Sequence, residues 1–148
     1  MPHTLFENSR VWPQAPLGSS VGVTKAGTLT PAFAGDYEYH AVAFFGSIGN
    51  TGTLWAFAST NSGGSNNTVI GSVIFGSSNS PAVVYEVKAD TLTTLNSSGT
   101  SFTHIGAQIS VDAGGTLYGG LVILSTWPKS AGTTPAANGW AAVGTSLT

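Results

Sequence analysis

Short apolar runs separated by polar turn residues set the strongest constraint on how this chain folds. Between Ala82 and Leu124, three such runs rich in β-branched residues are each closed by glycine, asparagine or serine. Alternation of apolar and polar residues within a run is typical of a half-buried β-strand, whereas an amphipathic helix repeats its apolar residues every three to four positions. This region is therefore predicted to consist of β-strands joined by tight turns.

The same pattern extends upstream and indicates six strands. They are predicted over residues 37–46, 54–59, 68–75, 82–89, 103–111 and 116–124. Strands at such short intervals, with turn residues between them, favour a sandwich or a barrel, and connections this short join antiparallel neighbours. We predict an all-β fold, namely an antiparallel, jelly-roll-like β-sandwich with extended N- and C-terminal arms.

Alternation predicts which side chains of the strands face the core. Two strands have a clear inward set: Val83, Tyr85 and Val87 in the first, and Ile105, Ala107, Ile109 and Val111 in the second. The strand over residues 37–46 is apolar on both faces, with Tyr39, Ala41, Ala43 and Phe45 on one and His40, Val42 and Phe44 on the other. Such a strand is either central in the sandwich or meets a partner on its outer face.

Two local features are predicted within this framework. Gly71 interrupts its strand, which indicates a bulge or a close approach of another group. The only helix-like piece runs from Ala89 to Leu95, about one turn, with Asp90 as a plausible cap.

The chain divides into one domain and two arms. Residues 36–125 are predicted to form the sandwich. Residues 1–35 contain four prolines and four glycines. Because proline removes a ladder donor, they are predicted to form an extended arm in which residues 20–24 and 27–30 could form one edge strand or hairpin. Residues 126–148 are predicted to form a second extended arm.

The charge content is unusually low for a folded protein. Asp, Glu, Lys and Arg make up 7% of the 148 residues, against about 25% in an ordinary soluble domain. Serine and threonine, about a quarter of the chain, supply the polar surface instead. A protein with a neutral, hydroxyl-rich surface tends to associate in water. We therefore interpret the surface of this domain as one that neighbouring proteins cover.

Composition also argues against several classes of partner. The net charge is −2 with only four basic residues, so no basic field for nucleic acid is expected. Cysteine is absent, which leaves no disulfide framework or thiolate metal site. The N-terminal residues lack the pattern of a signal peptide, and no apolar run approaches the roughly 20 residues of a membrane-spanning helix. We expect no membrane partner and no cofactor.

Three isolated tryptophans in the predicted arms are the candidate partner-binding residues: Trp12, Trp127 and Trp140. Tryptophan is a preferred anchor residue at protein interfaces. The ring of Trp12 either tucks under its own domain or inserts into a neighbour, and the sequence leaves both open.

The sequence gives little support for a catalytic site or a metal site. His40 and His104 lie within predicted strands and are interpreted as hydrogen-bonded structural residues, and no two histidines have the short spacing of a zinc site. The acidic residues are scattered, no loop holds the paired carboxylates that calcium needs, and no GxSxG nucleophile elbow or P-loop occurs. We predict no catalytic residues, no metal site and no enzymatic activity.

Two motifs in the centre of the chain resemble a known family. VVYEVKADTL is followed about ten residues later by FTHIGAQISV, within a succession that begins at YHAVAFFG. This order is similar to that of small structural proteins of tailed bacteriophages, often encoded beside the major capsid protein. The resemblance covers roughly residues 37–125.

The resemblance implies a capsid decoration (cement) protein in the virion, made in the host cytoplasm. Such a protein binds the major capsid protein on the outside of the head and is commonly a homo-oligomer, a trimer. A phage tail or neck protein is the first alternative. A carbohydrate-binding β-sandwich is the second, with exposed aromatics such as Trp55, Tyr118 and Trp127 as its sugar platform.

Overall fold

The computed structural model of the protein describes most of the predicted sandwich and parts of both arms. It describes residues 9–13, 17–19, 32–33, 35–64, 66–77, 82–96 and 100–128. The strands are β1 (Ser9–Pro13), β2 (Leu17–Ser19), β3 (Ala32–Phe33), β4 (Tyr37–Ile48), β5 (Gly52–Ser59), β6 (Thr68–Phe75), β7 (Ala82–Lys88), β8 (His104–Val111) and β9 (Leu117–Pro128), and the helix α1 (Ala89–Leu95) follows β7. The predicted all-β fold is confirmed.

The strands form two antiparallel sheets that pack face to face. The front sheet has the order β1–β9–β4–β7, with β2 also paired to β9, and the back sheet has the order β3–β8–β5–β6. The pairs β1 with β9, β3 with β8, β4 with β7 and β5 with β6 are nested within one another along the chain. This nesting is the strand arrangement of a jelly roll.

The core lies between the two sheets and follows the predicted alternation. The inward side chains of β8 are Ile105, Ala107, Ile109 and Val111, all at most 3% exposed. In β7, Val87 is buried, and Val83 and Tyr85 pack against the core. Fully burying a side chain such as Ile or Leu stabilises the fold by about 1.5–3 kcal/mol, so the interior of the sandwich holds most of the stabilising apolar surface.

The exposed fractions of the β4 side chains show which of the two apolar faces of this strand is the core face. Val42 and Phe44 are fully buried, whereas Tyr39 is 40% and Phe45 is 50% exposed. The set that contains His40 therefore points into the sandwich, and the set that contains Phe45 forms the outer face of the front sheet.

The predicted local features also occur. The register between β5 and β6 shifts beside Gly71, and a Cβ at Gly71 would overlap the side chain of Tyr85, so this glycine marks both a bulge and a close approach. The helix α1 covers the predicted span. Asp90 lies inside its first turn and not at the capping position, where a carboxylate still interacts favourably with the helix dipole.

The N-terminal region differs from the predicted arm. Within the described part of residues 1–35, a region predicted to form an extended arm with one edge strand or hairpin, the structure has the short strands β1, β2 and β3. The predicted extended pieces at 20–24 and 27–30 lie outside the described residues. At the other end, β9 continues to Pro128, beyond the expected domain boundary at residue 125.

Candidate functional site

The candidate functional site is the outer face of the front sheet. The register of β4 against its two neighbours fixes which side chains share this face, because directly paired residues project to the same side of a sheet. Phe45 pairs with Gly120 of β9 and Ala82 of β7, and the next outward row is Val122, Ala43 and Val84.

We call this surface the front face and define it by its outward residues. They are Val11 of β1; Tyr118, Gly120, Val122, Leu124 and Thr126 of β9; Tyr39, Ala41, Ala43, Phe45 and Ser47 of β4; and Ala82, Val84, Glu86 and Lys88 of β7.

The front face is apolar and carries little charge. Its large exposed side chains are Tyr39, Phe45, Val84 and Tyr118, each between 40% and 52% exposed. Glu86 and Lys88 are the charged residues in the set, and both lie on β7 at the edge of the sheet. An antiparallel sheet with one face on the core usually presents polar side chains to water on the other, so this face is unusual.

The outer face of the back sheet has the more ordinary composition. Thr53, Ser72, Gln108 and Ser110 project there beside apolar residues such as Ile74, which is 72% exposed. The two outer faces of one molecule therefore differ, and the front face is the one that resembles a protein-binding surface. Contiguous exposed apolar patches on soluble domains often mark interaction sites.

The front face has both exposed rings, Phe45 among them, and a depression. Phe45 stands between Gly120 and Ala82, and a Cβ added at Gly120 would meet no atom within 4 Å. Four residues away on the same strand, Ala41 lies in an open depression of about 390 Å³. Tyr39, Glu86, Leu124 and Thr126 form its walls, with His40 also contributing.

Among the predicted partner-binding tryptophans, the structure describes the side chain of Trp12. Its ring packs against the core, its Nε1 donates a hydrogen bond of 3.0 Å to Ser125 Oγ, and the guanidinium of Arg10 lies 3.7 Å from the ring centroid. Of the two positions that the sequence left open for this ring, the structure has the one on its own domain.

The structure describes less of the other two tryptophans. The backbone of Trp127 belongs to β9, and Trp140 lies outside the described residues.

The residues of the alternative sugar platform also lie apart. Trp55 projects from the outer face of the back sheet, where its Nε1 donates a hydrogen bond of 3.1 Å to Ser110 Oγ. Tyr118 projects from the front face, on the opposite side of the sandwich. These two rings cannot stack on the same sugar.

Both histidines of the domain are hydrogen-bonded, as expected for structural residues. His40 Nδ1 lies 2.8 Å from Ser125 Oγ, but His40 is 2% exposed and Ser125 is completely buried. Because a substrate cannot reach this histidine–serine pair, its geometry does not make a nucleophilic site. His104 Nδ1 lies 2.8 Å from Thr103 Oγ1, and desolvation lowers the pKa of His104 below its ordinary value.

The described part of the chain has neither a candidate metal cluster nor a candidate membrane-spanning helix. No group of three or more His, Cys, Asp or Glu side chains there could hold a metal ion. No helix in the same residues is both long and apolar enough to cross a bilayer.

Comparisons with known proteins add one distant structural likeness. No protein-family model matches the sequence, and no curated protein matches it. Among solved structures, one match is a protein described under "Bacillus endospore appendages form a novel family of disulfide-linked pili". It has 12% sequence identity and a TM-score of 0.44 over 88% of this chain and 98% of that chain. A likeness at this level carries no argument about function.

The sequence predicted one strand of the front face but not the face as a whole. The alternation in residues 37–46 indicated a strand that is apolar on both sides, which the sequence left as either a central strand of the sandwich or one whose outer face meets a partner. The contributions of Val84, Gly120 and Val122 became visible only when the strand order placed β7 and β9 on either side of β4.

Proposed function

We propose that this protein is a non-enzymatic structural protein of a virion, a capsid decoration protein that binds the outside of a phage head and stabilises the lattice of the major capsid protein. The observation that carries the proposal is the apolar front face on a domain with only 7% charged residues. Such a domain is suited to contact with other proteins. The motif resemblance within residues 37–125 is the reason to name a phage capsid as the assembly that this domain binds.

The position of the two terminal segments supports a role in binding neighbours. Ser9, the first residue of β1, pairs with Thr126, and Pro128, the last residue of β9, pairs with Tyr37. The described chain therefore enters and leaves the front sheet at the same end. The 20 residues after Pro128 can span up to about 66 Å when extended, which is enough to reach across a subunit boundary.

Stabilisation of a shell by such a protein follows from mass action. A protein that binds the assembled lattice and not the dissociated subunits shifts the equilibrium toward the lattice. Contacts from two segments of one molecule add avidity, because the second contact forms at a high effective concentration. The homo-oligomer that the resemblance implies, a trimer, would multiply this effect.

The test is binding to capsid shells assembled from the major capsid protein of the phage to which the proposal assigns this chain. We expect the full chain to sediment with these shells, and a variant that lacks residues 129–148 to bind at least about tenfold more weakly, a loss of about 1.4 kcal/mol. Trp140→Ala should weaken binding in the same direction. Thr133→Ala, in the same segment, is the matched control and should bind like the full chain.

The outcomes separate the proposal from its alternatives. If the full chain does not bind shells, the decoration function is wrong, and sedimentation with tails instead of heads would support the tail or neck alternative. If the truncated protein binds shells as tightly as the full chain, the C-terminal segment is not an anchor.

A further inference from the structure

The depression on the front face forms because a small side chain lies between larger ones. Ala41 pairs with Leu124 of β9 on one side and with Glu86 of β7 on the other, and Tyr39 follows in the next outward row. The depression has a volume of about 390 Å³. At about 30 Å³ per water molecule it would hold about 13 waters, which is enough space for one long side chain of another protein.

The walls of the depression combine an aromatic ring, aliphatic surface and one carboxylate. Tyr39 is 40% exposed, Glu86 is exposed, and Leu124 is half-buried. Directly paired residues on neighbouring strands have Cβ atoms about 5 Å apart, and diagonal neighbours are about 7–8 Å apart. Since Glu86 is paired with Ala41 and diagonal to Tyr39, its carboxylate and the tyrosine ring can contact the same group when that group lies above Ala41.

The charges at this end of the front face are mainly negative. On the other side of Tyr39 is a smaller hollow of about 200 Å³, and its charged lining residues are Glu38, Lys88 and Asp90. Together with Glu86, the two hollows hold three carboxylates and one ammonium group, which is a net charge of −2. A cationic group is therefore attracted to this region, and a phosphate group is repelled.

We infer that the depression beside Ala41 receives an arginine side chain of a partner protein. The guanidinium group stacks on the ring of Tyr39 and donates hydrogen bonds to the carboxylate of Glu86, while the methylene groups of the arginine lie against Ala41 and Leu124. That the partner is a capsid subunit rests on the proposed function. The arginine site itself rests on the geometry and charge of the depression.

The carboxylate of Glu86 is the reason to prefer arginine over other occupants. An apolar side chain would displace water from this carboxylate without supplying a hydrogen-bond donor, which is unfavourable. A lysine would supply the charge, but only the planar guanidinium can both bind a carboxylate with two parallel hydrogen bonds and stack on an aromatic ring. Charged pairs at an interface contribute more to specificity than to affinity, so the apolar part of the front face still supplies most of the binding energy.

Titration with small peptides tests the site without any shell. The isotopically labelled full-length protein is titrated with the capped tripeptide Gly-Arg-Gly, and amide chemical shifts are followed by NMR up to about 20 mM peptide, since we expect a dissociation constant of about 1 mM for one side chain. The shifts should be largest at Tyr39, Ala41, Glu86 and Leu124. Citrulline in place of arginine keeps the shape and removes the charge, and it should weaken binding at least about tenfold; lysine should weaken it at least about threefold.

Two pairs of variants separate the charge of the site from its shape. Glu86→Gln should weaken binding of the arginine peptide at least about tenfold, whereas Asp112→Asn, which removes an exposed carboxylate from the turn after β8, should not change it. Ala41→Leu fills the depression and should abolish the shifts. Ala82→Leu makes the same change at an exposed position of the same face and should leave binding as it is. Because all four residues lie at the surface, circular dichroism should show that the variants fold.

The arginine site is overturned if the arginine and citrulline peptides bind equally, or if either Glu86→Gln or Ala41→Leu binds the arginine peptide as the natural protein does. On capsid shells, Glu86→Gln should bind at least about fivefold more weakly than Asp112→Asn, and equal binding of these two variants would show that the capsid protein does not supply the arginine. If the natural protein binds no shells, the proposed function is wrong, and the peptide titration still decides whether the site binds arginine.

Discussion

Glycines that lie close together in this protein have opposite steric surroundings. Gly46 of β4 faces Gly119 of β9 across the front sheet, and a Cβ at Gly46 would overlap the carbonyl oxygen of Tyr118 and come within 2.7 Å of the Gly119 Cα. Those obstacles are backbone atoms, which cannot move aside by a rotamer change. Gly120, one residue further along β9, has open space around it.

This difference predicts unequal effects of the same substitution. Gly46→Ala should lower the free energy of unfolding by about 1–3 kcal/mol, the usual cost of forcing extra atoms into a packed site. Gly120→Ala should change it by less than about 0.5 kcal/mol. Urea unfolding of both variants measures the difference, and equal midpoints for the two would contradict the close pairing of Gly46 with β9.

At the scale of elements, β9 holds the front sheet together. It pairs with β1 and β2 on one side and with β4 on the other. The inward ring of Trp12 fastens β1 to it through the hydrogen bond to Ser125. The short strand β1 is therefore held both by its backbone pairing with β9 and by the side chain of Trp12.

Removing that side chain should release β1 without unfolding the sandwich. In Trp12→Ala, we expect amide hydrogen exchange in β1, and in the β9 amides bonded to it, to become at least about tenfold faster, as in local unfolding. The β9 amides bonded to β4 should keep their protection. Trp12→Phe, which retains a ring but loses the Nε1 donor, should have a smaller effect, about 1 kcal/mol. Unchanged exchange in β1 of Trp12→Ala would show that the backbone ladder alone holds this strand.

The strands that the sequence predicted well are those whose own alternation carries the signal. In β7 and β8, apolar residues occupy every second position, and the inward set follows directly from the sequence. The strands β1, β2 and β3 have only five, three and two residues and form by pairing with distant partners. No local pattern could reveal them. The front face could not be predicted from the sequence for the same reason, because its three main strands are separated in sequence and become neighbours only in the jelly roll.

At the scale of the whole molecule, low charge distinguishes this domain from an ordinary soluble one. Its surface polarity comes mainly from hydroxyl and amide groups, and its front face has charges only along the β7 edge. If the function is to bind other proteins, the binding energy must come from apolar burial and neutral hydrogen bonds. Both depend weakly on ionic strength, unlike interactions between exposed charges.

Binding to capsid shells should therefore be nearly independent of salt. We expect the dissociation constant for shells to change less than tenfold between about 50 and 500 mM sodium chloride, a range over which exposed ion pairs are largely screened. Sedimentation with shells at several salt concentrations measures this. A steep loss of binding with salt would mean that the contact relies on the few charged residues of the chain.

The chain enters the front sheet at Ser9 and leaves it at Pro128. Both residues lie at the same end of the sheet, where Ser9 pairs with Thr126 and Pro128 pairs with Tyr37. The turn that follows β4 and the turn that precedes β9 lie at the other end, where the amide of Gly49 donates a 2.9 Å hydrogen bond to the carbonyl of Thr116. A cargo joined directly at Ser9 or at Pro128 would thus be attached at the same pole of the sandwich. A peptide inserted into the turn at Ala113–Gly114 would be displayed at the opposite pole.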